Sequence, residues 1–388
     1  MRDQLKHFPV NWMDGMKINK NHFIAQDNAS HGALQDATGI GLSPLRYGVL
    51  PPSASGESTF RVPISTDNQN TVRIAVLACD AVTAGGARIT IPVYRSAGQP
   101  EAGQLAEHLH SFSNIANESS WWVVLTVHPF MRQPSGSPDL SEMPVRFPHV
   151  LPTYEVEVVS DNGFLQYAHH PYALAIGKIL VSGGEIIVDK DYIPPCYTVA
   201  SSPDLLALHA ELDQFLANLE MRCSQIVQKI FKKSQQNELS DLVMFLCDRV
   251  MLYLGQSITS LRWLGKFEAP VAMFVQMAAL ARVMKNSIDL RIGTGKDELM
   301  SYFSDWCELK QGELESLLIS IVNMDFDNND VNRNIQKTAR FVSVVTRLFD
   351  NLSKLEYIGK RKEPGIFVKE ESLESAEQQA KTKRRFFG

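Results

Sequence analysis

A chain of 388 residues with 44% hydrophobic and 21% charged residues holds enough apolar material for more than one core. Its net charge of −5 argues against a general nucleic-acid binder, which carries a basic footprint. No run approaches the ~20 apolar residues that a membrane span needs, so direct membrane insertion is not expected. The opening Met1-Arg-Asp-Gln-Leu-Lys-His-Phe lacks the apolar core of a signal peptide. Cys79, Cys196, Cys223, Cys247 and Cys307 are scattered, with no C-x-x-C pair, which suits a reducing compartment and offers no metal cage. A cytoplasmic location is expected.

In chain order, residues 1–200 read as β-structure. Short runs rich in Val, Ile and aromatics occupy Phe60–Ile64, Thr71–Ala78, Ala87–Tyr94, Trp121–His128, Tyr154–Val159, Tyr172–Val181 and Glu185–Val188. Gly, Pro, Asn or Asp separate them, and Ser182-Gly183-Gly184 looks like a tight hairpin connection. The expectation is an antiparallel β-sandwich. The pattern changes after Pro194-Pro195. Ser201-Ser202-Pro203-Asp204 is a helix start, with proline at the first helical position and an acid at the positive end. Leu205, Leu208, Leu212, Phe215 and Leu219 then follow at spacings of 3, 4, 3 and 4, a heptad-like seam. Further helices are predicted over Leu239–Leu264, Pro270–Ile288, Asp297–Val322 and Val331–Tyr357. Residues 201–358 thus form an α-helical bundle. Residues 359–388 are a charged, flexible tail with little to build a core. The fold class is α+β multidomain.

Three stretches, read together, resemble the TssK family of type VI secretion baseplate proteins. Asn11-Trp12-Met13-Asp14-Gly15-Met16, followed by His22-Phe23 and Asp27, is similar to the family's opening. Asp191-Tyr192-Ile193-Pro194-Pro195-Cys196, running into Ala200-Ser201, is similar to the segment joining the family's β shoulder to its helical neck. The order of parts is the third likeness. It covers about residues 1–330, and the counterpart of the family's C-terminal head domain is expected to be short or missing.

The resemblance implies a non-catalytic adaptor without cofactors. Its arm and shoulder would hold TssF/TssG-like wedge subunits, and three necks would pack as a homotrimer. The C-terminal end would face the envelope-anchored complex at the inner face of the cell envelope. Trp12, Met13, Gly15, Met16, His22 and Phe23 are the expected partner interface, and the Leu205–Leu219 seam the expected trimer contact. The alternative for the arm is simple packing on the sandwich, with His22 satisfied by a backbone group. The alternative for the seam is a bundle core within one chain. Tyr192, Pro194 and Pro195 mark the shoulder–neck junction. Lys383, Arg384, Arg385, Phe386 and Phe387 form a docking tail or a solvated end.

Two rival functions have weaker support. One is a baseplate or receptor-binding protein of a phage tail or another contractile injector. The other is a metal-dependent hydrolase using His169 and His170, with His108, His110, His128 and His149 as further candidates. These histidines lack the local pairing of a zinc site and read as loop residues. Gly293-Thr-Gly295-Lys296 lacks the spacing of a phosphate loop and reads as a helix–helix joint.

Overall fold

The computed structural model describes residues 6–53, 58–67, 70–91, 107–112, 118–235, 237–307, 310 and 312–359. The proposed tail residues Lys383–Phe387 and the end of the strand expected to reach Tyr94 lie outside them. The chain divides into two units. One takes the chain up to Ser202 together with Phe267–Pro270 and Asp327–Asn332. The other takes Pro203–Lys266, Val271–Phe326 and the chain from Arg333 onward.

The first unit opens with a helix, α1 (Lys20–Gly39). Then come β1 (Gly48–Val49), β2 (Phe60–Arg61), β3 (Ile64–Thr66), β4 (Thr71–Ile74), β5 (Ala78–Val82) and β6 (Arg88–Ile91). β7 (His108–Ser111), β8 (Ser119–Ser135), β9 (His149–Ser160), the short helix α2 (Asp161–Phe164), β10 (Ala173–Ser182) and β11 (Glu185–Val188) follow. The named strands pair antiparallel in three sheets: β1-β5-β2 with β6 on β5, β3-β4-β7, and β11-β10-β8-β9. This differs from the expected sandwich of two sheets. The run Thr71–Ala78, taken as one strand, breaks after Ile74, so that β4 serves one sheet and β5 another.

One core joins the three sheets. Val123, Leu125 and Val127 of β8 enter it beside Val156 and Val158 of β9 and Leu174 of β10. Val72 and Ile74 come from β4, and Cys79, Ala81 and Ile89 from β5 and β6. The alternate residues Trp122 and Val124 point to the opposite face, where Phe164, Ala173 and Ala175 cover them. A bulge between Ala175 and Gly177 shifts the register of β10, so the core positions pass from Leu174 to Ile179 and Val181. Gly177 lets the two sheets come close, since a Cβ there would lie 2.4 Å from Ile64 Cδ1 and would push that methyl aside. Gly183 and Gly184, with φ of 62° and 83°, close the β10–β11 hairpin in a two-residue turn.

The junction residues are stitched into this unit. Pro194 and Pro195 are buried, and the Tyr192 ring meets Trp122 edge-on at 6.0 Å. The Val49 amide donates to Pro195 O at 2.8 Å, and the Tyr197 amide to Val49 O at 2.9 Å. Residues 327–332 add a polar stitch. Tyr47 Oη donates to Asn329 Oδ1 at 3.1 Å, and Asn328 Nδ2 donates to Tyr47 O at 3.1 Å. Lys178 Nζ lies 2.9 Å from Asp330 and 4.6 Å above the Trp122 ring.

The second unit contains α3 (Pro203–Lys232), α4 (Glu238–Leu264), α5 (Val271–Asp289), α6 (Lys296–Cys307), α7 (Glu313–Val322) and most of α8 (Val331–Lys354). The single helix expected over Asp297–Val322 is two helices. Gly312, at φ 75°, leaves the helical region and restarts the chain at Glu313. Leu205, Leu208, Leu212, Phe215 and Leu219 are all at or below 6% exposure within the single chain. Phe215 meets the Phe341 ring of α8 at 6.5 Å, and Arg222 Nε binds Asp350 at 2.7 Å. The seam is therefore buried within its own chain, which favours the bundle-core alternative over the trimer contact for these residues. A 3.5-residue repeat buries a helix equally well against neighbours of the same chain.

Asn329→Ala should leave the Tyr47 hydroxyl buried without its acceptor and cost about 1–3 kcal/mol. Urea denaturation would measure this, and the Tyr47→Phe/Asn329→Ala pair should cost less than the two single changes together.

Candidate protein-binding surface

The N-terminal arm folds back along α1. Asn19 caps the helix, accepting from the Asn21 amide at 2.9 Å, while the Asn19 amide donates to His22 Nδ1 at 3.3 Å. His22 is thus satisfied by a backbone group. The Val10 amide donates to Gln26 Oε1 at 3.1 Å and pins the arm to the helix. Met16 N closes a turn onto Met13 O at 3.1 Å, with Gly15 at φ 77°. These local bonds bring Trp12, His22 and Phe23 together, with the Trp12 ring 6.3 Å from His22 and 6.2 Å from Phe23.

The cluster is not buried. Trp12 is 47% exposed and Phe23 61%, and Met13, Ile18 and Phe8 are also exposed; Met16 is half-buried. Trp12, Met13 and Phe23 thus keep about half or more of their surface in water. Of the twenty residues of α1, Ala29 and Gln35 alone are buried.

What holds α1 is a break in β8. Its pairing with β9 passes from His128 opposite Thr153 to Arg132 opposite Pro152, so residues 129–131 stand out of register. Phe130 then meets the His7 ring at 4.2 Å and the His31 ring, edge-on, at 5.8 Å. Arg132 pairs with Asp27 and donates to Asn28 Oδ1 at 3.0 Å. Burial, and then the Arg132 charge, push the pKa of His31 down from the ordinary histidine value. Beyond the break, Leu140, Met143, Val145 and Phe147 form a second exposed apolar group between β8 and β9, which sequence patterning did not reveal.

The histidines do not converge. His170 Nδ1 accepts from the Tyr172 amide at 3.3 Å, His128 lies 3.3 Å from Glu155, and His110 packs on Phe112 and Trp121. Among the described residues no three His, Cys, Asp or Glu side chains are grouped to hold a metal. In the joint between α5 and α6, Lys296 Nζ is held by Asp289 at 2.9 Å and Glu315 at 2.5 Å.

A histidine whose folded pKa is depressed stabilises the fold above its unfolded value of about 6.5, and that contribution is lost as pH falls through it. The urea midpoint of the wild type relative to His31→Asn should therefore improve from pH 5.5 to 7.5. An equal difference at both values would remove His31 from the account.

No curated protein matches the chain in sequence. The family model described as "Bacterial Type VI secretion, VC_A0110, EvfL, ImpJ, VasE" matches residues 166–282. Among solved structures, a crystal structure of TssK is 15% identical, covers 88% of this chain and 69% of its own, and superposes with a TM-score of 0.45. A chain of the TssK–TssF–TssG baseplate subcomplex, determined by cryo-electron microscopy, is 12% identical over 89% of this chain and all of that one (100%), at 0.46. A chain of the baseplate complex of the type VI secretion system is 13% identical over 89% and 99%, at 0.48. The segment matched by the family model runs from the last part of the first unit into α5, and it is there that the chain is similar to these proteins of type VI secretion.

Proposed function

We propose that this chain is a structural adaptor of a type VI secretion baseplate, with no catalytic role. The observation that carries this reading is the exposed cluster of Trp12, Met13 and Phe23, held in place by capping and by Arg132 rather than by burial. Ordered apolar side chains that their own chain leaves in water are the usual anchors of a protein interface. The similar chain in the TssK–TssF–TssG subcomplex supports TssF/TssG-like wedge subunits as the partners. The arm and first unit act as the shoulder, and the helical unit acts as the neck.

The helical unit forms a homotrimer in this reading, through a surface other than the Leu205–Leu219 seam. By length and composition, Glu238–Phe267 is apolar enough to cross a membrane, yet one face of α4 is the bundle core. On the other face Leu252 and Trp263, three turns apart, are exposed, Trp263 at 69%. Gly255 between them has no neighbour within 4 Å of a Cβ position, so a second helix has room to approach. Neighbouring copies cover this stripe, with no insertion into lipid. The C-terminal end, including Lys383–Phe387, faces the envelope-anchored complex, and the assembled protein sits at the inner face of the envelope.

Two experiments test these assignments. Trp12→Ala/Phe23→Ala should abolish co-purification of TssF/TssG-like subunits while circular dichroism stays unchanged; undiminished capture would refute the arm's role. Leu252→Asp/Trp263→Asp should convert the trimer to a monomer in light scattering with helicity retained. Leu208→Asp/Leu212→Asp should instead lose the fold, because both charges enter a buried core.

A further inference from the structure

Beneath α1 the first unit contains a cavity of about 510 Å³, a size typical of sites that take a ligand or a bulky anchor. Gly32, Gln35, Asp36 and Gly39 line it from one face of the helix, as spacings of 3, 1 and 3 require. Phe130, Pro171 and Tyr172 provide the apolar wall.

Two features of this face are not explained by the described residues. Gln35 is 9% exposed, held there by the close approach of Gly86, where a Cβ would lie 2.6 Å from Gln35 O. Its amide Nε2 is buried and has no hydrogen-bond partner among the described residues. A buried donor without an acceptor is unfavourable, and such groups call for a cause. The second feature is Gly32, in the interior of a twenty-residue helix. Glycine is a poor helix former, and a Cβ at Gly32 would meet nothing within 4 Å. No packing among the described residues requires it. A missing side chain and an unused amide donor, one helical turn apart, are both accounted for by an occupant whose main chain comes close to α1.

We propose that this cavity receives an extended peptide segment of a partner protein, with one bulky apolar residue as anchor. Once the Gln35 amide turns into the cavity, a peptide group offers a carbonyl to its Nε2, and the narrow peptide backbone fits over Gly32. The anchor fills the space between Phe130, Pro171 and Tyr172. Lys6 and Asp36 place opposite charges on the wall, so the site favours a neutral insert over a polyanion. Exposed Ile40 adds an apolar residue to the rim, and exposed Phe8 directly follows the lining residues Lys6 and His7 in sequence. The inference rests on the adaptor reading and names what the shoulder grips.

The test uses the full chain, the intact TssF/TssG-like subunits and short overlapping peptides that tile them, read by fluorescence anisotropy. Gly32→Leu fills the cavity and Gln35→Leu removes the donor while keeping its volume; neither should lower the melting temperature. At least one tile should bind the wild type, and each substitution should weaken it by roughly tenfold or more, the loss of one well-placed interaction. If intact subunits bind Gly32→Leu as well as wild type, the cavity is not the site, and the adaptor reading stands. If intact subunits do not bind the wild type, both fall. A change in self-association on Gly32→Leu, or a small molecule retained in native mass spectra, would assign the cavity to another occupant and overturn the proposal.

Discussion

Strand β8 is buried on both faces, and the first unit is arranged around that constraint. Val123, Leu125 and Val127 need one hydrophobic layer and Trp122 and Val124 another, so a single sheet with a wet side does not suffice. The two small sheets supply the first layer. Helix α2, the alanines of β10 and Tyr192 supply the second. Where β8 leaves its register with β9, the strand stops being core and becomes a fixture: Phe130 and Arg132 reach out to the rings and acids of the N-terminal segment. Packing and presentation are thus properties of successive stretches of one strand.

Each unit buries some of its apolar residues and leaves others in water. The α3 seam is consumed within its own bundle. The arm, α1 and the outer stripe of α4 are not, although each is ordered by hydrogen bonds or by the buried face of the same helix. Side chains that stay in water on a rigid support lose little further conformational freedom when a partner arrives, which favours tight and specific association.

Much of this was legible in the sequence where periodicity reports burial. The long apolar runs of β8 and β10, the glycine pair of the last hairpin and the proline start of α3 each have a local cause that leaves a local trace. α1 left no such trace, because a helix with only Ala29 and Gln35 buried has no apolar stripe. Its one signal was the Asn19-x-x-His22 cap. The Leu205–Leu219 repeat was read correctly as a buried face, but periodicity does not say whose side chains cover it. Gly32 and Gln35 were invisible for a different reason: their significance lies in empty space and an unmade bond, which exist only once strands distant in sequence have come together.

The loop Asp327–Asn332 has a consequence for the order of synthesis. It belongs to the first unit, yet the ribosome makes it only after α3 to α7. At about 5–20 residues per second, the nascent first unit waits on the order of ten seconds for it. Through that interval the hydroxyl of Tyr47 lacks the acceptor on Asn329, and the ammonium of Lys178 lacks Asp330. The first unit is therefore finished by a late-arriving strap, which closes these two contacts only after α3 to α7 have been made.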